Sequence, residues 1–131
     1  MEKVQWKGGT MLSPVPAVLV SCGTLEKPTA LTIAWTGITC SDPPKTYVSV
    51  RRERNSDEII KQSGEFVINM MPSSFVRQVD YCGIKSGKNE DKLTKMKLVP
   101  QASGAEITPL ACGTSFILVS LSSFLPDFIP Q

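Results

Sequence analysis

Three short β-rich runs fall between residues 17 and 50, each closed by turn-forming residues. Residues 17–22 (AVLVSC) form an apolar run, and GTLEKP at 23–28 follows as a turn. Residues 30–35 (ALTIAW) then alternate, so the pair predicts a β-hairpin. Ser41, Asp42, Pro43 and Pro44 read as a loop, and residues 46–50 (TYVSV) as a third, alternating strand. A helix comes next. Asn55 or Ser56 can cap it, Asp57 and Glu58 favour its N-terminal dipole, Ile59 and Ile60 give its apolar face, and Gly64 ends it. Residues 65–70 predict a fourth strand. Pro72, Ser73 and Ser74 open a second helix with Phe75, Val76 and Val79 inward. Residues 83–89 predict a Gly- and Lys-bearing loop, and 91–97 a short helical turn. The order is β-β-β-α-β-α. Hairpins dominate it, so the fold class is mainly β with flanking helices: a small antiparallel barrel, not a doubly wound parallel sheet.

With 131 residues, the chain suits a single domain over 1–131. It contains no histidine, which removes Ser-His-Asp and Cys-His catalysis, zinc dyads and a neutral-pH imidazole base. Four cysteines (Cys22, Cys40, Cys82, Cys112) are scattered without a CxxC pair, so reduced thiols are expected and a metal site is not. The first sixteen residues lack a signal-peptide core, and a cytoplasmic location is expected. Net charge is only +2. Residues 45–97 nevertheless hold 11 of the 14 basic residues. This concentration suits an anionic partner or an ordinary solvated surface. No aromatic–basic interleaving supports nucleic acid. Residues 108–126 carry no charge, but interleaved Thr, Ser, Gly and Pro and the missing basic flanks argue against a membrane span. A buried strand at 114–121 is expected instead, with 111–131 as an atypical apolar tail.

Three constellations could carry chemistry. TALTIAWTG at 29–37 offers hydroxyls, strand-end donors and a tryptophan, suited to a flat heteroaromatic ring, or simply to a Thr-rich strand with a core Trp. SVRRERNS at 49–56 places three arginines and two serines before a helix, suited to a phosphate or to a solvated turn. GIKSGKN at 83–89 lacks the phosphate-loop spacing, because Asn89 follows Lys88, and reads as a basic loop near a ligand or an exposed turn.

The order of these segments resembles the flavin-reductase-like, FMN-binding split β-barrel family, and its flavoredoxin group most closely. The resemblance runs from about Ser13 to Leu110. It rests on PVPAVLVSCGT, KPTALTIAWTGITCSDPPKTYVSVRRERNS, GEFVINMMPSS and DYCGIKSGKNEDKL. It implies a six-stranded antiparallel split barrel, a homodimer, and non-covalent FMN near the dimer interface. The implied activity is flavin reduction fed by NADH or NADPH, or electron transfer to a redox partner protein. The alternatives are a non-catalytic FMN-binding module and a shortened family member with weak or no flavin binding. A flavin brings its own redox chemistry, so no histidine base is required and no catalytic side chain is assigned.

The resemblance places Thr32, Ile33, Ala34 and Trp35 along the isoalloxazine. Thr29 stands where the family commonly has asparagine. Ser49, Val50 and Arg51 fall along the ribityl and phosphate side. Ser56 is expected to cap its helix and offer its hydroxyl to the phosphate, and Lys92 to supply a cation. Cys40 is expected to pack beside the site. From about Ala111 the family pattern is lost together with every basic residue. The expectation is a shortened or frame-shifted product with an incomplete barrel, which the coding DNA read in three frames would test.

Overall fold

The computed structural model describes residues 3–102, together with the backbone of short strands at 109–110 and 116–120. The elements run β1 (Val18–Gly23), β2 (Pro28–Ile33), β3 (Thr36–Ser41), β4 (Pro44–Val48), α1 (Asn55–Ser63) and β5 (Glu65–Asn69). A 3-10 turn at Ser73–Phe75 leads into α2 (Val76–Ile84). Then come α3 (Lys92–Lys95), β6 (Gln101–Ala102), β7 (Pro109–Leu110) and β8 (Phe116–Ser120). Every described strand pairing is antiparallel, and helices flank the sheets, as the hairpin pattern predicts.

The main sheet has the order β2-β1-β5-β8, with β1 and β5 at its centre. Both faces of β1 are covered. Val18, Val20 and Cys22 pack with Leu31, Ile33, Phe66, Ile68 and Ile60 of α1. Leu19 packs on the other face with Ala30, Cys82 of α2, Leu93 of α3 and Leu98. That double burial is why residues 17–22 read as a continuous apolar run and not an alternating one. The β1–β2 hairpin closes with Gly23 opposite Pro28. Gly23 has φ 92°, and a Cβ there would lie 2.4 Å from the Lys27 carbonyl oxygen, so this turn requires glycine.

Three expectations are corrected. The loop at 41–44 is the tight turn of a second hairpin, whose first strand, β3, the sequence pattern misses. Thr36, Gly37, Ile38, Thr39, Cys40 and Ser41 have no apolar alternation because neither face of this hairpin is fully buried. Its register is marked instead by Tyr47, whose ring lies 3.1 Å from where a Gly37 Cβ would be. Second, Val76 is 69% exposed rather than inward, because the 3-10 turn rotates the start of α2. Third, α2 runs through Gly83, which lets the helix sit close on β2: a Cβ at Gly83 would be 3.3 Å from Thr32 Cβ. The strand expected at 114–121 is β8 over Phe116–Ser120, paired with β5. The rest of the expected apolar tail lies outside the described residues. Among the described residues no helix is long and apolar enough to cross a membrane.

Candidate functional site

β2 with its C-terminal extension and the segment after β4 build the two sides of a cleft. The amide of Ser49 donates to the Trp35 carbonyl at 2.8 Å, which ties the end of β2 to the chain leaving β4. From there two successive turns, Arg54 N to Arg51 O and Asp57 N to Arg54 O, wind the chain into α1. The three-residue spacing brings Arg51 and Arg54 to the same side. A cleft of about 230 Å³ results, lined by Thr32, Ile33, Ala34 and Trp35 from one side and Ser49, Val50 and Arg51 from the other. Seven of the ten residues expected in the site are thus brought together. Leu31 and Arg54 also line it; Arg54 belongs to the 49–56 segment singled out for an anion, whereas Leu31 was missed. The Arg54 signal was its spacing from Arg51.

Trp35 is 46% exposed, and the Arg51 guanidinium stands over its ring at 5.4 Å from the centroid. A half-exposed tryptophan held by a cation is a stacking platform, not a core residue. The Thr32 hydroxyl is turned away, donating to the Val79 carbonyl of α2. Thr32 therefore positions the helix, and its hydroxyl proton is not free for a ligand.

A second cleft of about 560 Å³ is lined by Thr29, Asn55, Gly87, Lys88 and Lys92, with Glu26, Lys27, Glu90 and Asp91 among the remainder. Leu31 and Arg54 line the first cleft and Thr29 and Asn55 the second, so the two clefts are neighbours along β2 and the start of α1. Asn55 and Gly87 fall in the 49–56 and 83–89 segments singled out from the sequence, but neither was assigned to the site individually. Two of the three acidic residues at this end are already engaged. Glu90 accepts from Tyr81 and from Lys95, both at 2.7 Å, and the Lys95 bond holds its carboxyl below the usual carboxylate value. Asp91 caps α3, accepting from the Leu93 and Thr94 amides and from the Thr94 hydroxyl, whose bond lowers its pKa. Among the described residues Glu26 has no ion pair, and Lys27, Lys88 and Lys92 outnumber it in the lining, so the remaining charge is net basic.

Lys92 is 4% exposed. Its Nζ donates to the Cys82 carbonyl at 3.1 Å and to the Lys85 carbonyl at 3.2 Å, which fastens the loop between α2 and α3. Burial pulls its pKa below the usual lysine value. Arg51 and Lys92 therefore sit in different clefts, although both were assigned to one anion.

Ser56 departs from expectation. The N-cap position of α1 is Arg54, with no side-chain cap bond, and Ser56 is buried in the first turn. Its hydroxyl hydrogen-bonds the Cys22 thiol and lines neither cleft. A small hydroxyl at a helix start signals a cap, but here the buried thiol beside it claims the hydroxyl instead. Cys40 lies on the β3–β4 hairpin, donating to the Asp42 carbonyl, and lines neither cleft.

Cys22, Cys40 and Cys82 are free thiols, and Cys112 lies outside the described residues. Burial pushes the Cys22 thiol up to about 11, against the Ser56 hydrogen bond and the Lys92 charge, and raises Cys82 as well. At pH 8 that leaves Cys22 on the order of a hundredfold less thiolate than an ordinary cysteine. Mass-spectrometric mapping after iodoacetamide treatment of the native protein should find Cys40 labelled well before Cys22 and Cys82. Among the described residues no cluster of three or more His, Cys, Asp or Glu could hold a metal.

A mainly antiparallel fold flanked by helices thus carries two neighbouring clefts, one beside a half-exposed tryptophan and one lined by lysines. The family model for the flavin reductase like domain matches residues 10–118, and the chain belongs to that family. The match passes beyond Leu110, so the family pattern continues further than its motifs alone suggest. The chain is 33% identical to the flavoredoxin of Desulfovibrio vulgaris (Miyazaki F), with a TM-score of 0.78 over 84% of this chain and 61% of that one. It also shares its fold with the flavoredoxin from Methanosarcina acetivorans, at 22% identity and a TM-score of 0.87, over 98% of this chain and 68% of that one. An uncharacterized protein of Archaeoglobus fulgidus is 30% identical over 87 residues, 66% of this chain and 49% of that protein. The chain spans about half the length of the curated relatives it matches.

Proposed function

We propose that this chain is an FMN-binding flavoprotein and that FMN occupies the trough the two clefts form along β2. One observation carries the reading. Two neighbouring clefts place a half-exposed tryptophan in one and a cradle of Thr29, Asn55 and Lys92 in the other, where a Cβ at Gly87 would meet all three. FMN has the same polarity along its length, a flat ring at one end and a phosphate at the other, so the residues present fit it.

In this arrangement Ala34 and Trp35 hold the ring, with Arg51 above the indole. Ile33 and Val50 exclude water from the wall, and Ser49 offers polar contacts along the ribityl. Thr29, Asn55 and Lys92 take the phosphate. The chemistry FMN supplies when bound is acceptance of a hydride from NADH or NADPH and electron transfer to a redox partner protein. The chain's own part is to orient the ring, neutralise the phosphate and present donors and cations.

The 131 residues act as one flavin-reductase-like domain in this reading. The domain works as a homodimer, supported by Ile38 at 85% and Tyr47 at 49% exposure on the β3–β4 hairpin beside Trp35. Stopped-flow mixing of the FMN-loaded protein with NADH and, separately, with NADPH tests the activity. Bleaching of the flavin band by one of them is expected. No bleaching by either, with FMN bound, would leave a binding module and remove the reductase.

A further inference from the structure

Gly87 is a glycine whose backbone does not require one. Only Gly23 and Gly64 carry left-handed φ values among the described glycines. What glycine provides at Gly87 is space. A Cβ there would lie 2.9 Å from Thr29 Oγ1, 3.3 Å from Asn55 Nδ2 and 3.8 Å from Lys92 Cε. These three side chains come from β2, the start of α1 and the start of α3, and they converge on this one position.

The loop carrying Gly87 is not free to retreat. Lys92 holds its first carbonyl, at Lys85. The Asn89 amide closes a turn on Ser86 O, and the Lys88 amide donates to Ser86 Oγ. Glu90 anchors the far end to Tyr81 and Lys95. Meanwhile the Thr29 hydroxyl and the Asn55 amide carry no hydrogen bond to another group among the described residues. Lys92 has three N–H donors and spends two of them on carbonyls. Each side chain at this point therefore retains a donor, and donors without a substituent between them form an anion cradle.

We propose that Gly87 is a specificity-determining residue: its missing side chain keeps this cradle open to a terminal phosphate and so makes the protein favour FMN over riboflavin. The proposal rests on the reading of the trough as a flavin site and goes beyond it by assigning the discrimination to one position. A methyl at Gly87 must displace Thr29 Oγ1 and crowd Asn55, while the platform at Trp35 lies in the other cleft and is untouched.

The test is fluorescence titration of FMN and riboflavin against the full chain and its Gly87→Ala and Asn55→Ala variants, with apo thermal midpoints beside them. The unaltered chain should prefer FMN. Gly87→Ala should weaken FMN about tenfold or more, the equivalent of one lost charge-assisted hydrogen bond, and leave riboflavin nearly unchanged. Asn55→Ala, which removes a donor without filling the space, should also lower the FMN-to-riboflavin ratio. It decides the question if Gly87→Ala does not fold. An unchanged ratio in a folded variant, or equal weakening of both flavins, overturns the proposal while leaving the flavin site standing. Failure of the unaltered chain to bind either flavin overturns the functional reading itself.

Discussion

Trp35→Ala should raise the dissociation constant for FMN by roughly 5- to 150-fold, equivalent to the ~1–3 kcal/mol that stacking a base on an aromatic side chain contributes. The indole is 46% exposed and packs under the Arg51 guanidinium, not into either apolar cluster. Its removal therefore costs little folding stability. The apo protein should melt within a few degrees of the unaltered chain, so a loss of affinity reports on the site alone. Riboflavin should be weakened by a similar factor, because the ring is the part lost. If FMN and riboflavin affinities both stayed unchanged, the ring would not lie at this end of the trough.

Lys92→Ala should do two things at once. It removes a cation from the phosphate end, and it releases the Cys82 and Lys85 carbonyls that the ammonium now holds. Losing hydrogen bonds from a charged, buried donor costs about 1.5–3 kcal/mol of stability. A lower urea midpoint is expected together with FMN binding weakened by tenfold or more. The charge contribution has its own signature. Burial lowers the lysine pKa from 10.5, so FMN affinity should decline toward alkaline pH earlier than an exposed lysine would dictate. The unaltered protein should show this decline, and Lys92→Ala should lack it. A variant with lowered stability but the same FMN affinity and pH profile would make Lys92 a loop fastener only.

Much of the fold was legible because burial writes itself into sequence period. β1 reads as an unbroken apolar run since helices cover both its faces, and β2 mixes apolar and hydroxyl residues because Ala30 and Leu31 are buried on opposite faces while Thr29 and Thr32 are only half-buried. β3 was illegible for the complementary reason. Its side chains face solvent or Tyr47, so no hydrophobic period marks them. The site was legible where residues contribute by being next to one another in the chain. Residues 32–35 and 49–51 face each other across one cleft because the Ser49–Trp35 backbone bond ties their segments together. It was illegible where a side chain's direction depends on a distant partner. Thr32 turns to Val79 and Ser56 to Cys22, pairings that no local pattern announces. Gly87 reads as ordinary loop glycine until Thr29, Asn55 and Lys92 are seen to meet there.

The most direct test of flavin binding is to incubate the purified chain with excess FMN, separate the mixture by size exclusion and record the visible spectrum of the protein peak. The account predicts a flavin band that travels with the protein near one FMN per chain and is diminished by Trp35→Ala. A colourless protein peak, with all FMN eluting in the small-molecule volume, would contradict it.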